Sequence, residues 1–180
     1  LVRWRHPVHG RVSAELIVEL AEQGGMMREL GELVLETALF QARNWYLKGN
    51  ELPVAINVSA SQFRDPDFVQ KVSDLLATTM VPPRLLELEV TESAAMHDFA
   101  AAEAKLTRLQ ELGVKTTIDD FGVGFSNLNQ LVNLPFNSLK IDKSLVSGIG
   151  WSERSESVII AVVGIALALG YQTVAEGIET

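Results

Sequence analysis

The sequence predicts an α/β protein, a TIM-type (β/α)8 barrel truncated at both ends, and three observations predict it. Five short apolar runs rich in β-branched residues recur along the chain, and each has the length and composition of a buried strand. Longer segments with apolar residues at helical spacing lie between them, the pattern of a parallel sheet covered by helices. Polar residues stand at or just past the carboxyl ends of the runs, where a barrel keeps its chemistry. This last feature favours the barrel over a doubly wound open sheet.

In chain order, Leu1-Val2-Arg3-Trp4-Arg5-His6-Pro7 reads as the end of a first strand entering a loop that His6 and His9 stabilise. A helix is expected over Met27 to Leu47, then a strand over Pro53 to Val58. The helix from Phe68 to Met80 stops at Pro82-Pro83, because proline lacks an amide proton and restricts its predecessor. Next come a strand over Leu85 to Val90 and a helix over Ala95 to Leu112, with Gly113 where a helix C-cap is expected. Strands follow at Lys115 to Phe121, Ser138 to Ile141 and Thr173 to Ala175, with a helix over Glu156 to Leu169 before the last. Trp45, Trp151 and the aliphatic stripe from Val158 to Leu169 read as core or helix packing. A full barrel takes about 250 residues, so residues 1–180 read as one partial barrel domain lacking its first strand and its C-terminal part. No repeat, low-complexity tract or long linker marks a second domain.

Composition excludes several functions. The chain is 47% hydrophobic and 21% charged, which suits one soluble globular domain with a sizeable core. It has no cysteine, so disulfides, thiolate metal sites and a cysteine nucleophile are excluded. The longest apolar stretch, Val158 to Leu169, is too short for a spanning helix, which takes about 20 residues. A net charge of −8 argues against a polymeric nucleic acid partner held by a basic face. A small anionic ligand fits only where cations mediate. The chain begins without Met or a signal-like segment and stops just after an apolar run, so both ends read as cut.

The chemistry centres on Asn57, Glu89, Asp119, Asp120, Lys140 and Glu176, drawn from five strand ends. Any one acid alone reads as a loop residue or helix N-cap; the recurrence on five strands points to a site. Two unit charges at about 4 Å and an effective dielectric near 20 repel by roughly 4 kcal/mol. Four converging carboxylates therefore need protonation or divalent metal to relieve them. Mg2+ or Mn2+ suits carboxylates with the Asn57 amide oxygen, and no His or Cys is placed to favour zinc. Lys140, alone a surface lysine, could there hold or deprotonate a water. Arg3, by default a loop arginine, would suit a phosphate. Gly122 and Gly124 flank a turn after the aspartates, which is weak evidence by itself. No Walker A, G-x-G-x-x-G, H-E-x-x-H or G-x-S-x-G motif occurs.

These residues sit in a series of motifs: Leu1-Val2-Arg3-Trp4-Arg5-His6-Pro7, Asn57-Val58-Ser59-Ala60-Ser61-Gln62-Phe63, Glu89-Val90-Thr91-Glu92-Ser93, Asp119-Asp120-Phe121-Gly122-Val123-Gly124-Phe125-Ser126, Leu139-Lys140-Ile141-Asp142 and Val174-Ala175-Glu176-Gly177-Ile178-Glu179-Thr180. In that order they resemble the EAL-domain cyclic di-GMP phosphodiesterases of bacterial signalling. The resemblance implies a (β/α)8 barrel with one antiparallel strand and a two-metal reaction, with Mg2+ or Mn2+, that opens one phosphodiester to give linear pGpG. It implies metal ligation by Asn57, Glu89, Asp119 and Asp120, with Glu176 joining through the second metal or its water. Lys140 would position or activate the nucleophilic water, and Arg3 would grip a ligand phosphate. Glu92 would steady the loop Phe121 to Asn127, which links the metal site to a dimer contact. Implied partners are cyclic di-GMP, a second copy in a homodimer, and fused sensor or GGDEF cyclase domains. The implied location is the bacterial cytoplasm, any membrane anchor lying in other segments.

Three departures from the family pattern stand out. The E-A-L glutamate is expected two positions before Leu1, Phe125 and Asn127 stand where the family usually has Tyr and Ser, and a glutamine-glycine motif implicated in guanine binding is absent. The alternative function is a degenerate receptor that binds the dinucleotide without cutting it; such receptors usually lose metal ligands, and here every visible one is kept. A barrel lyase or aldolase using Lys140 would leave the Asn57 motif and Arg3 unexplained. A pure scaffold has no reason to gather four carboxylates.

Overall fold

The computed structural model describes residues 2–122 and 131–178. It opens with a short antiparallel hairpin of β1 (Trp4–His6) and β2 (Gly10–Val12). The amides of Val8 and His9 both donate to His6 Nδ1 at 3.1 Å, and the His6 and His9 rings lie 4.7 Å apart, so the histidines do hold this loop. Arg3, expected to emerge from a strand of the main sheet, instead precedes β1, which pairs only with its neighbour in sequence. Then come α1 (Ala14–Gln23), whose first turn is capped by Ser13, and α2 (Met27–Tyr46).

The main sheet has β3 (Val54–Val58), β4 (Leu86–Thr91), β5 (Lys115–Phe121), β6 (Ser138–Ile141) and β7 (Gln172–Ala175). All neighbours are parallel and adjacent in chain order. A doubly wound sheet reverses its strand order at a switch point; this one never reverses, which is how a barrel is wound. Between β3 and β4 lie α3 (Ala60–Arg64) and α4 (Phe68–Thr79); between β4 and β5 lie α5 (Glu92–Met96) and α6 (Phe99–Glu111). After β6 come α7 (Lys143–Val146) and α8 (Glu153–Leu169).

One face of the strands is hydrocarbon and packs on the helices. Leu86, Leu88, Val90, Ile118 and Leu139 are wholly buried with Leu39, Val72, Leu106 and Leu109 of α2, α4 and α6. Alternate residues point the other way, so the second face carries Glu87, Glu89, Thr117, Asp119, Ser138 and Lys140. Among the described residues no helix is long and apolar enough to cross a membrane.

Three local expectations are corrected. The helix expected over Ala95 to Leu112 is two helices, because the Asp98 carboxylate accepts from the Ala101 amide and starts α6 afresh. Helix α4, by contrast, ends as expected ahead of Pro82, with Met80 in the left-handed conformation (φ 55°). Strand β7 is exposed along its length, since it is an edge of the sheet. Trp151 is 92% exposed, and Ile160 and Leu167 of α8 are 73% and 72% exposed, so neither the tryptophan nor the whole aliphatic stripe is core.

Candidate active site

The parallel register sets the site. Asn57 of β3 stands opposite Glu89 of β4, placing both on the polar face at the carboxyl end of the sheet. Behind Asn57 the chain turns sharply into α3 through a capping box, in which Ser59 Oγ accepts from the Gln62 amide and Gln62 Oε1 accepts from the Ser59 amide, both at 3.2 Å. The S-x-x-Q spacing is a sequence signal for such a turn. Thr91 caps α5 through its hydroxyl alone, which accepts from the Ala94 amide, so Glu92 begins that helix and is buried at 6% exposure.

The paired aspartates are explained by a β-bulge. In the β5–β6 ladder Ile118 pairs with Leu139 and Phe121 with Ile141, so three residue steps on β5 are matched by two on β6. Both apolar residues of β5 stay on the helix side, and the extra residue lets Asp119 and Asp120 serve the polar side together. Asp120 takes a left-handed backbone (φ 56°), a conformation that aspartate tolerates better than most side chains, and its amide donates to Asp119 Oδ1 at 3.1 Å. In a regular strand two adjacent carboxylates would face opposite sides. Nothing in the letters alone marks the bulge.

Lys140 lies at the centre. Its Nζ is 3.0 Å from Glu89 Oε2, 3.2 Å from Asp119 Oδ1 and 2.5 Å from Glu176 Oε1. Glu176 follows β7 directly and is held by its amide, which donates to the Ile141 carbonyl. One ammonium thus joins acids from three other strand ends. Burial opposes the charge on Lys140, but hydrogen bonds to Glu176 and Glu89 and the charges of Glu89 and Asp119 overcome it and hold the group well above the usual lysine range. Glu89 is raised, chiefly by burial, against the opposing pull of Lys140. Asp120 is raised by burial and then by the charges of Asp119, Asp142 and Glu176.

A single cation does not balance this set. Asp119, Asp120 and Glu176 each offer a carboxylate oxygen, and the three oxygens lie within 4.8 Å of one another. An all-oxygen donor set of this compactness fits a hard divalent ion. Of the residues singled out from sequence, Glu89, Asp119, Asp120, Lys140 and Glu176 therefore meet, with Asn57 in register beside Glu89. Arg3 does not join them. It is exposed, its Nη1 donates to the Val2 carbonyl at 3.2 Å, and it borders a groove with Leu30, Val34, Trp45 and Val54, the first residue of β3. Gly122 is described (φ 99°); Gly124, Phe125 and Asn127 lie outside the described residues.

An acid-lined rim at the carboxyl ends of parallel strands, with a lysine among the acids, is where a barrel of this class keeps its site. The model of the EAL domain matches residues 1–180, and the chain belongs to that family. It is 43% identical over 180 residues to a cyclic di-GMP phosphodiesterase of Pseudomonas aeruginosa, a match covering 100% of this chain and 31% of that protein. It is 38% identical over 181 residues to MucR of the same species, a bifunctional diguanylate cyclase/cyclic di-GMP phosphodiesterase, covering 100% of this chain and 26% of MucR. The solved PaMucR phosphodiesterase in complex with c-di-GMP superposes with a TM-score of 0.94 at 38% identity, covering 100% of this chain and 73% of that one. The fold is thus that of the EAL barrels, as the strand order indicated. The chain spans less than a third of the length of these two relatives.

Proposed function

We propose that this domain hydrolyses cyclic di-GMP to linear pGpG with Mg2+ or Mn2+. The observation that carries the reading is the meeting of Glu89, Asp119, Asp120 and Glu176 around Lys140. The relatives named above support the substrate. Asn57, Glu89, Asp119 and Asp120 would hold the metal, with Glu176 completing the set. Metal bound there supplies Lewis-acid charge against the phosphates and a lowered pKa for water.

The chain's own groups do the rest. Lys140, facing three acids, would donate from Nζ and orient the attacking water. The Glu176 carboxylate would accept a proton from that water as the water oxygen bonds to phosphorus, and the ribose oxygen released when its P–O bond breaks would take up a proton from solvent. Asp119 and Asp120, fixed by the bulge, would hold the metal that offsets the charge of the phosphodiester. Arg3 serves a ligand phosphate only if its segment moves from the place it occupies here, and Glu92 steadies the turn that follows Phe121. The same reading carries a homodimer, attachment to sensor or cyclase domains and a bacterial cytoplasmic setting.

The test is incubation of the full-length protein with cyclic di-GMP and Mg2+ or Mn2+, reading pGpG by chromatography. Formation of pGpG that chelator abolishes is expected. Binding of the dinucleotide with no pGpG under either metal overturns the reading and leaves a receptor.

A further inference from the structure

A second polar layer lies beneath the rim. Two residues before Glu89, Asp119 and Lys140, on the same faces of the same strands, stand Glu87, Thr117 and Ser138. Thr117 Oγ1 donates to Glu87 Oε1. It also shares a hydrogen bond with Ser138 Oγ at 2.5 Å, and Ser138 Oγ lies 3.4 Å from Glu87 Oε1. A hydroxyl has one proton: that of Thr117 goes to Glu87, and that of Ser138 is shared between Thr117 Oγ1 and Glu87 Oε1, both within reach. The result is a closed cluster of Ser138, Thr117 and Glu87 spanning three strands. Thr117 is wholly buried and Ser138 is 6% exposed.

This layer separates two kinds of acid. Among the described residues Glu87 makes no ion pair, and two hydroxyls approach its Oε1, whereas all three ion pairs of Lys140 go to rim acids. Lys115, the register partner of Glu87, is exposed to solvent and makes no ion pair with it. A half-buried carboxylate without donors is costly, and the four-carbon stem of a lysine is flexible enough to swing toward one. We propose that Thr117 and Ser138 are positioning residues that satisfy Glu87 with neutral donors and so keep the Lys140 ammonium at the rim. The proposal rests on the phosphodiesterase reading of that rim.

The test uses the full-length protein carrying Thr117→Val with Ser138→Ala, which removes both hydroxyls at little change in volume. Glu87 then competes for Lys140. Turnover is expected to fall about tenfold, in the range typical of lost outer-shell partners, with KM little changed. Adding Glu87→Gln removes the competing charge and is expected to restore most of the turnover. Binding of Mn2+ alone, followed by electron paramagnetic resonance, is expected to tighten in the double variant, because the rim acids have lost their cation, and to return when Glu87→Gln is added. A packing defect would weaken metal binding and would not be repaired by Glu87→Gln. Thr117→Ser, which keeps the hydroxyl, is expected to retain wild-type turnover, and Thr117→Val alone serves if the double variant does not fold. Unchanged turnover and Mn2+ affinity, or losses that Glu87→Gln leaves in place, overturn the proposal. If the wild type makes no pGpG, the phosphodiesterase reading fails separately, and the Mn2+ titration still decides the role of the hydroxyls.

Discussion

The two faces of β4 are built of opposite chemistry. Leu86, Leu88 and Val90 are all wholly buried against helices, while Glu87, Glu89 and Thr91, interleaved with them, are half-buried on the opposite side. One face stabilises the fold by removing hydrocarbon from water. The other gathers like charges, which costs stability and is tolerated because one ammonium and a set of hydroxyls offset part of the repulsion. Adjacent letters therefore have unrelated duties, and substitutions one residue apart should fail in different ways.

The largest effect is expected on the polar face. Asp119→Ala removes an acid that both contacts Lys140 and belongs to the compact oxygen triad. Turnover of cyclic di-GMP should drop by roughly a thousandfold or more, at about 1.4 kcal/mol for each factor of ten. The thermal midpoint should stay or rise, because a repelling charge is gone. Measuring pGpG formation beside a thermal melt checks both, and a variant that unfolds would make the acid structural, erasing the contrast between the faces. On the other face Leu88→Ala leaves a cavity in a wholly buried site. It should cost about 2–5 kcal/mol of stability, seen in denaturant melts, while the fraction that remains folded keeps wild-type turnover.

A position joining the two regions sharpens the comparison. Gly31 of α2 lies against Gln62, so closely that a Cβ at Gly31 would stand 2.0 Å from the Gln62 amide group. Overpacking of that kind costs about 1–3 kcal/mol, and the helix propensity gained by Gly→Ala returns up to about 1 kcal/mol. Gly31→Ala should thus lower stability modestly. It should also disturb the capping box that ends the Asn57 turn, and so weaken metal binding slightly. Combining it with Gln62→Ala should relieve the clash while leaving the cap lost. Additive effects in that double-mutant cycle would show that the two residues do not touch.

Much of this was legible in the sequence because it follows from periodicity. The five apolar runs became the five parallel strands, and the acids at their ends met, since parallel strands in chain order bring equivalent ends to one rim. What could not be read has local physical causes. The bulge at Asp119-Asp120 needs the ladder of β6 to reveal it. The central place of Lys140 among three acids depends on side-chain reach across strands. The exposed Trp151 carries no mark distinguishing it from a core tryptophan, and Arg3 precedes a hairpin whose pairing its apolar neighbours disguise.

The smallest predicted effect concerns a boundary that periodicity hides altogether. Apolar spacing runs unbroken from Ala95 to Leu112, yet the chain bends at Asp98 (φ −138°, ψ 90°), whose carboxylate accepts from the Ala101 amide at 3.2 Å. Asp98→Ala should cost about 1 kcal/mol, the usual worth of a helix N-cap, because orphan amides of the first turn of α6 lose their acceptor. Hydrogen exchange should show lost protection at Ala101 first, with the wholly buried Leu106 and Leu109 keeping theirs. Turnover should not change, since α6 packs on the hydrocarbon side of the sheet. If protection instead spread across residues 95–101, the two helices would have fused, and the break would prove to be imposed by one carboxylate against the preference of the surrounding sequence.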